Sequence, residues 1–271
     1  MVQKNIEYIK DEYSVNDLLD IMAILRGDNG CPWDKEQNHS SIRKNLLEEA
    51  YEAADAIDRN NSDDMVEELG DLLLQVVFHS QIGKEGNEFS FNDVVNGVCK
   101  KLVYRHPHIF SDTVAETSEE VLSNWDKLKN KEKNMLSFTD TLKAVPSSFP
   151  ACMRAQKVQK RASKAGYDFE NITAAIEKVE EELSELKEAL YLKDASSANN
   201  EIGDLLFSVV NVSRFLNADS EEQLIKATNK FITRFEKAEC LAKQENSKLD
   251  ELSAEQHDTL WIKAKLSENN K

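Results

Sequence analysis

Apolar residues return every three or four positions through 15–25, 42–57, 65–82 and 91–103. That spacing lines them along one face of an α-helix, so four amphipathic helices are expected before the midpoint of the chain. Thr117 and Glu120 stand at the spacing of a capping box, and the segment they open carries Val121, Leu122, Trp125 and Leu128 before a lysine-rich run. Between 132 and 150 the periodicity fades while Pro146, Ser147, Ser148 and Pro150 gather, the composition of a connection between modules. Helical spacing resumes through 151–164, 172–192, 198–216, 221–242 and 254–266. Only eight glycines and four prolines interrupt 271 residues, which favours long helices over many short strands. The expected fold is all-α: two tandem helical-bundle modules, 1–131 and 151–271, joined by a linker over 132–150.

The halves also repeat each other. At an offset of 133 residues Glu48, Glu49 and Glu52 fall on Glu181, Glu182 and Glu185. At the same offset Glu68, Gly70 and Asp71 fall on Glu201, Gly203 and Asp204, and Val76-Val77 falls on Val209-Val210. Five acids, a glycine and an apolar pair coinciding in one register point to duplication of one module.

Helix geometry turns this repeat into chemistry. Residues three or four apart share a face, so Glu49 converges with Glu52, and Glu68 with Asp71 on the next helix. An antiparallel pair of such helices brings four carboxylates together with Glu48 beside them, and the second half does the same with Glu182, Glu185, Glu201 and Asp204 beside Glu181. A single Glu-rich stretch is ordinarily a solvated helix face. Both clusters occurring twice, bordered by Leu46, Leu47, Leu69, Leu72 and Leu73, favours a built site. Oxygen ligands without His or Cys suit Mg²⁺, or Mn²⁺ in its place, and such a site completes its coordination with phosphates and water.

A phosphate substrate needs cations as well. Lys101 and Arg105, and again Lys230 and Arg234, stand four apart and could hold phosphate oxygens or form an exposed basic face. Trp125 with Lys129, and Trp261 with Lys265, repeat a Trp-to-Lys spacing; the indole either stacks on a base or fills core.

The remaining composition excludes rather than assigns. Fifty acids against thirty-four Lys and Arg give a net charge of -16, which argues against binding a nucleic acid polymer over a broad surface. Cys31, Cys99, Cys152 and Cys240 lie far apart and read as reduced thiols rather than a disulfide or zinc framework. The polar N-terminal residues do not read as a signal peptide. The apolar run 72–78, broken by Gln75, is far short of the roughly 20 residues that cross a bilayer. A cytoplasmic protein without a membrane partner is expected. No HExxH spacing joins His39, His79, His106, His108 or His257, so zinc hydrolysis has no support. A di-iron bundle would need Glu-x-x-His, whereas the residue three after Glu49 is Glu52. Two other rivals are a non-enzymatic acidic helical module that binds regulatory Mg²⁺ or a basic partner, and a terpene-synthase-like diphosphate site.

The strings Gly30-Cys-Pro-Trp-Asp34, Leu46-Leu-Glu-Glu-Ala-Tyr-Glu52, Glu67 to His79 and Arg105-His-Pro-His108 resemble the MazG family, whose signature is EExxE followed by ExxD. Gly166-Tyr-Asp-Phe169 and Glu201 to Phe207 extend the resemblance through the second half. It implies an all-α nucleoside triphosphate pyrophosphatase fold, a homodimer, and hydrolysis of nucleoside triphosphates, standard and aberrant, to monophosphate and pyrophosphate. Position by position it implies Glu182, Glu185, Glu201 and Asp204 as metal ligands of the main catalytic, C-terminal module, with Lys230, Arg234, Trp261 and Lys265 facing the nucleotide. Glu181 or the ligand Glu182 would orient the attacking water. Ser197 stands where the family pattern has a basic residue, with Lys193 or Lys160 as the candidates to replace it.

Overall fold

The computed structural model describes residues 8–111, 117, 120–121, 124–125, 128, 132, 137–245 and 247–267. Contacts divide the chain into two compact units, residues 1–129 and 130–271. The described residues form helices and turns without strands.

The first unit contains α1 (Val15–Arg26), α2 (Pro32–Glu36), α3 (Arg43–Asp58), α4 (Ser62–Glu85), α5 (Phe91–Arg105) and α6 (Pro107–Phe110). Local chemistry sets their ends. Ser14 and Ser90 close capping boxes with Asp17 and Asp93 at the starts of α1 and α5, and the Asn61 side chain accepts from the Asp63 and Asp64 amides at the start of α4. His106 Nδ1 lies 2.7 Å from the Leu102 carbonyl at the end of α5. Glu120 N–H donates to Thr117 Oγ1 at 3.2 Å, one arm of the expected capping box; Leu122 and Lys129 lie outside the described residues.

The core of this unit joins α1 to α4. Met22, Ile42, Val77 and Phe78 are buried together, with Leu18, Leu19, Leu74, Ile82 and Phe91 packed around them. Two glycines are required by close approach rather than by conformation. A Cβ at Gly30 would stand 2.1 Å from the Leu25 carbonyl oxygen, and one at Gly83 would stand 2.7 Å from the Phe89 ring.

The second unit contains α7 (Phe138–Lys143), α8 (Ala151–Lys164), α9 (Ile172–Tyr191), α10 (Ala195–Phe215), α11 (Ser220–Gln244) and α12 (Ala254–Leu266). Part of the stretch expected as a linker is built into it. Ser137 and Asp140 form a capping box that starts α7, Arg161 on α8 donates to the Thr141 carbonyl, and Val145 is buried. The periodicity reading passed over α7 because six residues make fewer than two turns.

In each unit the helix pair that carries the acids turns back through three residues, 59–61 and 192–194. Asn60 and Lys193, 133 residues apart, both adopt left-handed φ of 53° and 58°. Asn61 and Asp194 then cap the helix that follows, so the duplication extends to the turn. α11 packs on α12 through Ala238, Ala242, Leu260 and Ala264.

Candidate active site

The α9–α10 pair carries the acids of the second unit. One carboxylate oxygen from each of Glu182, Glu201 and Asp204 lies within 4.8 Å of the other two. The α3–α4 pair gathers Glu49, Glu68 and Asp71 in the same way. Three acids per helix pair converge because positions 68 and 71, like 201 and 204, are one turn apart and meet Glu49 or Glu182 from the partner helix. Glu185 and Glu52 adjoin these triplets. Burial pushes the Glu185 carboxyl above the usual range, with repulsion from Glu182 and Glu201 next. Glu49 is raised by burial, then by Asp71, Glu52 and Glu68, and Glu68 by burial, then by Glu52 and Glu67. Such mutual repulsion is relieved by a cation. The donor set, oxygen alone, suits a hard divalent ion rather than zinc.

The two sites differ in what surrounds them. Glu182 is only 5% exposed, and its Oε1 meets Lys178 Nζ at 2.7 Å; the same ammonium reaches Glu181 at 2.9 Å. Hydrogen bonds to both glutamates raise the Lys178 pKa. Lys178 is a cation the sequence reading missed, although its spacing of four before Glu182 was a legible signal. Position 45, which matches it at the offset of 133, is Asn45, while Lys44 instead pairs with exposed Glu48 at 2.7 Å. Ser197 Oγ donates to Asp194 at 2.8 Å at the start of α10.

Space also lies beside the acids of the second unit. A cavity of about 590 Å³ is lined by Lys178, Glu182 and Asp204 and by the rings of Tyr167, Phe169 and Phe207. A second, of about 300 Å³, is lined by Glu185, Glu188, Ser197 and Glu201. Buried Gln159 and Asn211 also line the larger cavity. Asp204, Phe207, Ser208 and Asn211 fall at helical spacing on α10, so one face carries both metal-type and lining residues.

The basic and aromatic candidates stand on other helices. Lys230, Arg234, Trp261 and Lys265 lie on α11 and α12, where the Trp261 ring packs on Phe231 at 5.1 Å between centroids. In the first unit Arg105 is 8% exposed, and its guanidinium lies over the Trp125 ring at 5.2 Å, while Lys101 is exposed on α5. In both units the half-buried indole thus packs against one neighbouring side chain.

Residues 37–110 and 170–239 each match the MazG nucleotide pyrophosphohydrolase domain. The chain belongs to the MazG family. It is 44% identical over 92% of its length to the nucleoside triphosphate pyrophosphohydrolase/pyrophosphatase MazG of Thermotoga maritima, covering 94% of that protein. It is 40% identical over 94% of its length to the nucleoside triphosphate pyrophosphohydrolase of Escherichia coli K12, covering 98% of it. Uncharacterized protein YabN of Bacillus subtilis is 43% identical over 92% of this chain, which spans 51% of that protein. The two domain matches contain the two acidic helix pairs, so the MazG assignment covers both units. Membership in a hydrolase family also sets aside the non-enzymatic reading of the acids.

Proposed function

We propose that this MazG protein hydrolyses nucleoside triphosphates, ribo and deoxy, standard and aberrant, between the α- and β-phosphates. The products are nucleoside monophosphate and pyrophosphate, and the C-terminal module performs most of the turnover with Mg²⁺, for which Mn²⁺ can substitute. The observation that carries this reading is the triplet of carboxylate oxygens within 4.8 Å on matched helix pairs in a MazG chain.

Glu182, Glu201 and Asp204, with Glu185 beside them, would hold the cation in the C-terminal module, and Glu49, Glu68 and Asp71, with Glu52, in the N-terminal one. A bound divalent ion supplies positive charge against the phosphate oxygens. Glu181 or Glu182 orients the water whose oxygen joins the α-phosphorus, and the bond to the bridging oxygen breaks to release pyrophosphate. Lys178 stands at the same acids, ready to exchange a carboxylate for a phosphate oxygen. Lys230, Arg234, Trp261 and Lys265 form the nucleotide-facing surface of α11 and α12, with Lys101 and Arg105 as their N-terminal counterparts.

Two differences favour the C-terminal module. Its acids border an open cavity, whereas Phe78, which matches Asn211 at the offset of 133, is buried in the core of the first unit. Lys178 has Asn45 as its counterpart. A homodimer is supported by the outer faces of α4 and α10. Val66, Leu69 and Leu73, and Ile202, Leu206 and Val209, are exposed around Gly70 and Gly203, where an added Cβ would meet open space. Apolar stripes with a small residue at the centre suit close helix packing. No described helix is long and apolar enough to cross a membrane, and the reading places the enzyme with the triphosphate pools of the cytoplasm.

The test is product analysis in ¹⁸O-labelled water with the eight common nucleoside triphosphates, with Mg²⁺ present or chelated. Label in the monophosphate and metal-dependent pyrophosphate are expected. Label in pyrophosphate would reverse the direction of attack, and undiminished turnover after chelation would remove the metal.

A further inference from the structure

The larger cavity of the second unit contains an unused hydrogen-bond acceptor. Gln159 on α8 is 6% exposed. Its Nε2 donates to the Phe207 carbonyl oxygen at 2.8 Å, while its Oε1 is buried without a partner. A buried amide oxygen left unpaired is costly and calls for an explanation. Asn211, also in the cavity lining, accepts from Arg214 Nε through Oδ1 at 2.9 Å, which leaves its amide nitrogen as the group able to donate. The lining also holds aromatic rings: Phe207 on α10, and Tyr167 and Phe169 from the turn after α8. Tyr167 is 85% exposed, so its ring can swing onto a flat ligand without unpacking core.

Lys178, Glu182 and Asp204 also line this cavity. On the triphosphate reading, a ligand that fills it and also reaches Lys178 and the cation held by those acids joins a flat apolar part to an anionic one. The volume of about 590 Å³ is in the range of small-molecule sites. The first unit offers a control within the same chain. At the offset of 133, Phe207 and Asn211 are matched by Leu74 and Phe78, which pack into the core with Met22, and the Arg26 guanidinium lies over the Phe78 ring at 5.3 Å. The duplicated acids are thus kept in both units, while the register that lines the cavity in one fills core in the other.

We propose that this cavity holds the nucleobase of the substrate, with Gln159 Oε1 accepting a base N–H, Asn211 donating to the adjacent base acceptor, and Tyr167 stacking on the base. This rests on the triphosphate reading above and adds to it the residues that set base preference. Every standard base has an N–H next to an acceptor on its pairing edge, in one order for adenine and cytosine and the reverse for guanine and uracil. One fixed amide acceptor with one amide donor therefore matches adenine and cytosine in one base orientation and guanine and uracil only in the reversed one, and so ranks them.

The test compares the full-length wild type with Gln159→Met and Tyr167→Ala in Mg²⁺, using ATP and purine riboside triphosphate, which is ATP without its 6-amino group. Loss of one base hydrogen bond should lower wild-type kcat/KM for the deaminated substrate about 10-fold. In Gln159→Met the two substrates should become equal. Tyr167→Ala alters an exposed side chain and should raise KM about 5- to 10-fold for both while kcat holds, the cost of one stacking contact. An unchanged preference in Gln159→Met together with an unchanged KM in Tyr167→Ala would overturn the proposal. Should Gln159→Met fail to fold, the KM of Tyr167→Ala decides alone. Wild type that turns over neither substrate would instead refute the triphosphate reading, so the two failures are distinguishable.

Discussion

Replacing Lys178 with Met removes the cation nearest the buried acid of the C-terminal site. The Nζ to Oε1 distance to Glu182 is 2.7 Å, and the two side chains are 33% and 7% exposed. At that separation unit charges attract by about 1.5 kcal/mol in a water-like medium and by about 6 kcal/mol at an effective dielectric near 20. The exposed ammonium keeps the pair toward the lower figure. The substitution also leaves an almost fully buried carboxylate beside Glu201 and Asp204 without its counter-charge, which costs more than the bond alone. A net loss of about 1–3 kcal/mol is expected, or roughly 3–10 °C in melting temperature for a unit of this size. Saturating Mg²⁺ should restore most of it, because the ion supplies the missing charge to the same oxygens. Thermal melts of wild type and variant, each with chelator and with Mg²⁺, give four midpoints, and the decisive quantity is the larger Mg²⁺ shift in the variant. If the variant in chelator melts within about 1 °C of wild type, or if Mg²⁺ raises both equally, the reading of Lys178 as a stand-in for the cation is wrong.

Alanine at both Glu201 and Asp204 should abolish most turnover, while alanine at Glu68 and Asp71 should leave much of it; steady-state pyrophosphate release checks both, and the opposite ranking would move the main site to the first unit. His79 is held below its ordinary value of 6.5 by burial and then by His39, whose Nδ1 lies 2.7 Å from its own. The unfolded chain therefore takes up this proton first, so the contribution of His79 to stability should fall as pH drops below about 6.5 and stay level above it. The raised carboxyls of Glu49, Glu68 and Glu185 act oppositely, losing stability as pH rises above their ordinary 4.5, so the difference between wild type and His79→Gln in urea titrations isolates the histidine. Phe78→Ala should cost about 3–5 kcal/mol by opening the core between α1 and α4, read as a lower denaturation midpoint with intact secondary structure.

Much of the fold was legible. The period of the apolar pattern located the long helices to within a few residues, and Ser, Asn and Asp at the caps explain where they begin. The acid pairs were legible for the same reason, since a spacing of three on a helix leaves little freedom in where two carboxylates point. Short elements such as α2 and α7 were not, because fewer than two turns carry no measurable period.

Harder to read were the groups whose meaning depends on a neighbour from another helix. Gln159 looks like one more polar residue on an Arg- and Lys-rich helix until Phe207 takes its amide nitrogen and leaves its oxygen buried and unpaired in a residue of the cavity lining. Arg105 has the spacing of a phosphate ligand, and that its guanidinium also lies over the Trp125 ring is visible only after folding. Residue order along the chain determined the helices, their duplication and the acids, because those follow from periodicity within single helices. Only tertiary packing decided that Asn211 borders open space while its counterpart Phe78 fills core, since a cavity exists only between helices brought together from distant parts of the chain.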